Sequence, residues 1–191
     1  MCVFKAHLSL PIRIYTCTMP NTVDVKARIG DLEAFKEKVK VKSQSEGEIL
    51  VQEDIFFNVP QGRLKLRNTE NKRSELCFYE RPDQEEGKLS DFATSFISDP
   101  VGLKETLKRA LGIKGILKNV RNYHQVGQTR IHVDHGKGVG NFMELEVELK
   151  EGQSLEEGQE VAMALMEELG VPSDHLISVA YIDLLLQKQT E

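Results

Sequence analysis

What this chain lacks narrows its class before any motif is weighed. No stretch approaches the roughly eighteen consecutive apolar residues that a helix needs to cross a bilayer, so no membrane partner is expected. The three cysteines, Cys2, Cys17 and Cys77, are few, odd in number and unlike any zinc spacing. A disulfide framework and a structural zinc are therefore set aside, and a reducing compartment, the cytoplasm, is the default. Positive charge is not in excess: 25 Lys and Arg stand against 30 Asp and Glu, a net charge of −5. That argues against nucleic acid held by an overall field, while leaving room for a local basic pocket. Internal repeats, heptads and low-complexity tracts are also missing. What remains, 40% hydrophobic and 29% charged over 191 residues, fits one globular domain with a substantial core.

Residues 1 to 18 stand apart. They hold Lys5, His7 and Arg13 but no acid, and Met19 lies just before the first strong strand pattern. An untargeted, poorly ordered extension is expected there, with a mitochondrial presequence as the alternative and Met19 as a second possible start; no apolar segment of the secretory type is present. A single domain is expected over 19 to 191.

Periodicity along the remainder predicts mostly strands with helices at intervals. Val23 to Ile29 alternates apolar residues with Asp24, Lys26 and Arg28, a strand pattern. Asp31 caps a predicted helix carrying Leu32, Phe35 and Val39. Residues 48 to 60 form a strand-like run, 63 to 67 and 74 to 80 a hairpin, and 84 to 87 an acidic loop. Asp99 before Pro100 is an N-cap with proline at N1, opening a helix of Leu103, Leu107 and Leu111 that stops at Gly112. Strands return at 115 to 126, 129 to 134 and 142 to 150. Ser154 with Glu157 makes a capping box for a helix bearing Val161, Leu165 and Leu169, ended by Gly170. A last amphipathic piece runs from Ser173 through Ile177, Tyr181 and Leu184 to Leu186. This order is neither βαβ repetition nor a helical bundle; it is α+β with mainly antiparallel sheet.

The strands put their charges on single faces. Arg130, His132 and Asp134 share one side, as do Glu144, Glu146 and Glu148, with Ile131, Val133, Leu145, Val147 and Leu149 opposite. Asp24, Lys26 and Arg28 share a side of the first strand; Arg63, Lys65 and Arg67 share a side of another, and Tyr79 and Arg81 match in parity. Any one such strand reads as half-exposed sheet. Taken together, clustered arginines repel unless anions lie among them, and a closed sheet brings those faces into one lumen. A triphosphate suits that lumen, since it takes guanidinium forks and ammonium point charges at once. Asp24, Asp134, Glu144 and Glu146 are hard oxygen donors suited to Mg²⁺ or Mn²⁺.

These residues also resemble a known family. Thr129-Arg-Ile-His-Val-Asp134 with Gly138-Val-Gly-Asn-Phe-Met-Glu-Leu-Glu146 is similar to the signature of the CYTH superfamily, the triphosphate tunnel metalloenzymes. These include class IV adenylyl cyclases and thiamine triphosphatases, and the likeness is to the cyclase-like branch. Val25-Lys-Ala-Arg28, Gly62-Arg-Leu-Lys-Leu-Arg67 and Tyr181-Ile-Asp-Leu-Leu185 add support, so the resemblance spans about 21 to 186. It implies a closed eight-stranded antiparallel β-barrel, a triphosphate tunnel, with flanking helices. It also implies that Lys26, Arg28, Lys65, Arg67, Arg81, Lys118, Arg121 and Arg130 hold phosphates. Glu144 and Glu146 are implied to bind Mg²⁺ or Mn²⁺, with Asp24 and Asp134 as supporting ligands or orienters; Lys26, Arg67, Arg130 and Glu146 would carry the reaction. Lys118 and Arg121 differ in strand parity, so both can line one lumen only across a bulge, and of the two arginines Arg130 is the firmer expectation. The family's opening Glu-x-Glu-x-Lys is here Thr22, Asp24 and Lys26, and Lys137 stands where the cyclase-like branch tends to have an acid. Those departures spare binding more readily than catalysis.

The expected function is thus a divalent-metal-dependent hydrolase of tripolyphosphate, thiamine triphosphate or a nucleoside triphosphate. The alternatives are an adenylyl cyclase converting ATP to cyclic AMP and pyrophosphate, and a noncatalytic module for polyphosphate or a phosphorylated partner. The partner is a small-molecule triphosphate, and monomer or homodimer are both open. His124, His132 and His135 are given no metal role, Cys77 reads as an inert packed thiol, and Gly136 to Gly140, which opens no helix and lacks a Lys-Ser/Thr ending, reads as a strand connection.

Overall fold

The computed structural model describes residues 22–80 and 91–190. Its centre is an eight-stranded sheet, every neighbouring pair antiparallel: β1 (Thr22–Arg28), β2 (Glu48–Phe57), β3 (Arg63–Thr69), β4 (Ser74–Glu80), β5 (Asp91–Ile97), β6 (Ile113–Val126), β7 (Thr129–Gly136) and β8 (Gly140–Glu148). The spatial order is β1-β8-β7-β6-β2-β3-β4-β5, so two meanders join where β6 pairs with β2. Four helices flank the sheet: α1 (Leu32–Ser43), α2 (Pro100–Leu111), α3 (Leu155–Leu169) and α4 (Tyr181–Thr190). Among the described residues no helix is long and apolar enough to cross a membrane.

Three helices begin where the sequence signals them. Asp31 accepts a hydrogen bond from the Ala34 N–H, Asp99 accepts from Gly102, and Ser154 and Glu157 exchange both bonds of a capping box. The helices then bury the outer face of the sheet. Val23, Val25 and Ala27 of β1, Ile131 and Val133 of β7, and Met143, Leu145 and Val147 of β8 pack against Phe35 and Val39 of α1 and Ala162, Leu165, Met166 and Leu169 of α3. Around the curl, Ile55, Phe57 and Leu66 pack beneath the leucine stripe of α2. Because alternation sends every second side chain the other way, committing these apolar residues outward commits their charged neighbours inward.

Within the described residues the sheet curls without completing a ring of strand pairing. Among the described residues β1 and β5 are not paired with each other, whereas the resemblance implied a closed barrel. The free edge of β1 is taken instead by the C-terminal segment: Ala27 forms an antiparallel bridge with Leu176, and the Ile177 N–H donates to the Lys26 carbonyl at 2.9 Å. Hence the expected amphipathic piece after Ser173 is divided. A 3₁₀ turn at Ser173–His175 is followed by the edge-pairing residues and then by α4, which starts only at Tyr181. The remaining difference is β5, which the sequence reading passed over. Among its described side chains only that of the last residue, Ile97, joins the cluster beneath α2, and Phe96 is 65% exposed, so no continuous buried face imposes a pattern on it. Residues 1 to 18, Arg81 and the loop at 84 to 87 lie outside the described residues.

Leu145, fully buried between the sheet and its helices, tests the outer core: Leu145→Ala is expected to cost about 2–5 kcal/mol, read from urea unfolding midpoints. A loss below about 1 kcal/mol would contradict this packing.

Candidate functional site

The inward residues line a cavity of about 130 Å³. Asp24 and Lys26 come from β1, Asp54 and Phe56 from β2, Arg63, Lys65 and Arg67 from β3, and Tyr79 from β4. Leu117 and Arg121 come from β6 and Glu144 and Glu146 from β8, while Ser178, Ala180, Tyr181 and Ile182 of the C-terminal segment fill the gap beside β1. Five basic side chains thus face four carboxylates inside one small space.

Each charge is held in place. Asp54 accepts both arms of Arg67, at 2.7 and 2.7 Å, and Lys65 at 2.9 Å. Asp134, fully buried, accepts two bonds from Arg121 at 2.7 Å, one from the Asn119 amide at 3.0 Å and one from the Tyr181 hydroxyl at 3.1 Å. Glu144 takes Arg121 at 2.8 Å and Lys26 at 3.2 Å, and Glu146 takes Arg130 at 2.9 Å. Lys26 also sits 4.4 Å from the centre of the Tyr181 ring. Nearer α4, Arg63 and Lys114 share Asp183 at 2.7 and 3.2 Å.

Burial alone pushes all three inner carboxyls upward, but their partners outweigh it. Arg67 and Lys65 hold Asp54 below the usual carboxylate range, Arg121 does so for Asp134, and Lys26, His132 and Arg121 for Glu144. Burial and the neighbouring Arg67 push Lys65 down from its usual value. Burial, with Asp134 and Glu144 beside it, pushes the Tyr181 hydroxyl well up, so it stays a proton donor to Asp134.

Of the basic residues singled out from sequence, Lys26, Lys65, Arg67 and Arg121 line the lumen, and Arg130 is half-buried beside Glu146. Arg121, the less trusted arginine, is the more deeply placed of the two. Its partner in that expectation, Lys118, is corrected outward: its side chain is 64% exposed, next to Glu53 on the outer face. The bulge that would have brought both inside is not there, since β6 runs in unbroken register with β2 from Leu117 to Tyr123. Arg28 is exposed and lies over the Phe142 ring at 5.3 Å, outside the cavity lining. Arg81 lies outside the described residues. Among the acids, Asp24 stands opposite Glu146 in register and Glu144 and Glu146 share the lumen wall. Asp134 has four donors already, which favours an orienting part over metal ligation.

Sequence reasoning missed Asp54 and gave no site role to Tyr181 or His132. Asp54 shares parity with Gln52 and Phe56, but in a run with no clean alternation nothing marked it as inward. Tyr181 and Asp183 sat inside a motif noticed only as support. Cys77 is free and buried, and burial pushes its thiol up, in keeping with an inert side chain.

The model of the CYTH domain matches residues 21–181. This chain belongs to the CYTH family. A Methanocaldococcus jannaschii protein provisionally named an adenylate cyclase is 22% identical over 170 residues, 85% of this chain and 97% of that one. Among solved structures, a Pyrococcus horikoshii protein superposes with a TM-score of 0.76 at 23% identity, covering 86% of this chain and 99% of its own. A Vibrio parahaemolyticus protein, also provisionally named an adenylate cyclase, gives 0.69 at 19% identity over 87% and 98%. Likeness at these identities establishes the CYTH fold.

A divalent ion fits the donor set. Glu144 and Glu146 are hard oxygen donors on one wall, and with His132 they form a group able to hold a metal ion.

The buried carboxyls give the domain an acid-sensitive stability. Because folding lowers their pKa values, each contributes stability above its unfolded value, and that contribution is lost as pH falls through its folded value. Urea midpoints are expected to change little from these groups between neutral pH and about pH 5, and to fall steeply below about pH 4. Replacing Asp54 by Asn should flatten part of that fall, and an unchanged acid limb in Asp54→Asn excludes its share.

Proposed function

We propose that this CYTH domain is a divalent-metal-dependent hydrolase of triphosphate substrates held in the lumen. The observation that carries the reading is the lining itself: Lys26, Lys65, Arg67 and Arg121 converge on a small cavity whose lining also presents Glu144 and Glu146. Basic groups for phosphate oxygens and acids for a metal are the two halves of a phosphoryl-transfer site. A cavity of about 130 Å³ is below the roughly 300–1,000 Å³ usual for drug-sized ligands. It suits a phosphoryl chain, with any organic group left outside.

Water attacks the terminal phosphorus, the bond to the bridging oxygen breaks, and phosphate and the shortened chain leave. Lys65 and Arg67 exchange Asp54 for phosphate oxygens, and Lys26 and Arg121 exchange Glu144 for them, so the same cations stabilise the equatorial oxygens as charge shifts. Glu144 and Glu146 would hold Mg²⁺ or Mn²⁺, which supplies charge neutralisation on the phosphates. Tyr181 and Asp134 fix the direction of Arg121.

Phosphate release from tripolyphosphate, thiamine triphosphate and ATP with Mg²⁺ or Mn²⁺ tests the reading. Turnover is expected for at least one of them, and turnover no greater than that of Glu144→Ala/Glu146→Ala sinks it. The provisional names of the Methanocaldococcus and Vibrio relatives favour a second reading, cyclisation of ATP to cyclic AMP and pyrophosphate; Thr22 in place of the family's first acid counts against it. Cyclic AMP formed from ATP and Mn²⁺ would select it.

By calorimetry, Lys65→Ala/Arg67→Ala is expected to weaken tripolyphosphate binding by at least about a hundredfold, on the basis of roughly 1.5–3 kcal/mol per charge-assisted bond. Full-strength binding in that variant would place the ligand elsewhere, and tight wild-type binding without turnover would favour a noncatalytic module.

A further inference from the structure

Three donor atoms converge on the β7–β8 wall. His132 Nδ1 lies 3.7 Å from Glu144 Oε2 and 3.7 Å from Glu146 Oε1, and one ligand atom from each residue falls within 4.8 Å of the others. The imidazole is only 5% exposed, and its Nδ1 has no hydrogen-bond partner. An unpaired buried polar atom is unfavourable and calls for a reason. Here the atom faces two carboxylates at separations too long for hydrogen bonds. A cation with bonds of roughly 2.1 Å sets its donors about 3–4 Å apart, and both nitrogen–oxygen separations, 3.7 Å, fall in that range.

We propose that His132 Nδ1 joins Glu144 and Glu146 as a direct ligand, making one nitrogen and two-carboxylate site that selects a divalent first-row transition ion such as Mn²⁺ over Mg²⁺. The proposal rests on the reading that the lumen takes a divalent ion with its phosphate ligand. Mg²⁺ prefers oxygen donors, whereas transition ions gain from an imidazole nitrogen.

The wall is also charged against an ion arriving alone. Lys26 and Arg121 hold Glu144, and Arg130 holds Glu146. A polyphosphate that draws these three cations away releases the carboxylates, so ion and polyphosphate strengthen each other's binding by the same factor.

Electron paramagnetic resonance of Mn²⁺ on the full chain, with and without tripolyphosphate, tests this. Pulsed measurement is expected to show ¹⁴N coupling from a directly bound nitrogen, Mn²⁺ affinity is expected to rise when tripolyphosphate is added, and Mg²⁺ should compete poorly. His132→Phe should abolish the nitrogen coupling and weaken Mn²⁺ about tenfold or more. His132→Asn, which restores an oxygen donor, should recover part of the affinity without the coupling; circular dichroism checks that both variants fold. Bound Mn²⁺ without nitrogen coupling in the wild type overturns the proposal, as does Mn²⁺ affinity unaltered in His132→Phe. Tripolyphosphate binding measured with a chelator present reports separately on the lumen reading, so its loss is distinguishable from loss of the nitrogen ligand.

Discussion

Buried carboxylates paired with guanidinium groups are the constraint on which this molecule depends. Five cations in a cavity of about 130 Å³ would repel one another strongly where little water enters. Asp54 binds Lys65 and Arg67 together, and Asp134 binds Arg121 while Asn119 and Tyr181 fill its remaining lone pairs. Such pairs contribute little net stability, because desolvation offsets attraction, yet removing one partner strands a buried charge. What they supply is direction: guanidinium groups stand extended into the lumen before any ligand comes.

That arrangement needs an apolar exterior to support it. The inward faces are free to be polar because the outward faces carry the core, against α1 and α3 on one side and α2 on another. The C-terminal segment links the two layers. Its backbone pairs with the edge of β1, and Tyr181 and Ile182 then enter the lumen, so the strand that carries Asp24 and Lys26 is fixed by the same residues that cap the cavity. On the proposed function, ligand binding would be an exchange of partners in which phosphate oxygens replace carboxylates on cations already in position. A site organised in this way loses little to reorganisation, as electrostatic preorganisation requires.

Local features were legible wherever a short-range interaction decides them. Asp31, Asp99 with Pro100, and Ser154 with Glu157 cap their helices as read, because a cap is completed within three or four residues. Strand parity separated Lys65 and Arg67 from their apolar neighbours for the same reason. Less was legible where the partner is distant. Asp54 gained its meaning from β3, Lys118 lost its place because β6 has no bulge between Leu117 and Tyr123, and β5 left little pattern because, of its residues, Ile97 at the end joins a core cluster while Phe96 is exposed. His132 could be placed on a face, but not beside the Glu144 and Glu146 carboxylates.

The sequence by itself determined the alternation of each strand, the helix starts, and the family to which Thr129–Asp134 and Gly138–Glu146 point, since these depend on spacing along one chain. Only the tertiary structure decided that the charged faces turn inward, which acid holds which cation, that Arg121 rather than Lys118 lies inside, and that β1's edge is covered by the C-terminal segment. The physical reason is that alternation makes two faces without saying which is wet. That choice belongs to the helices that pack on one of them and to charges brought together across strands far apart in sequence.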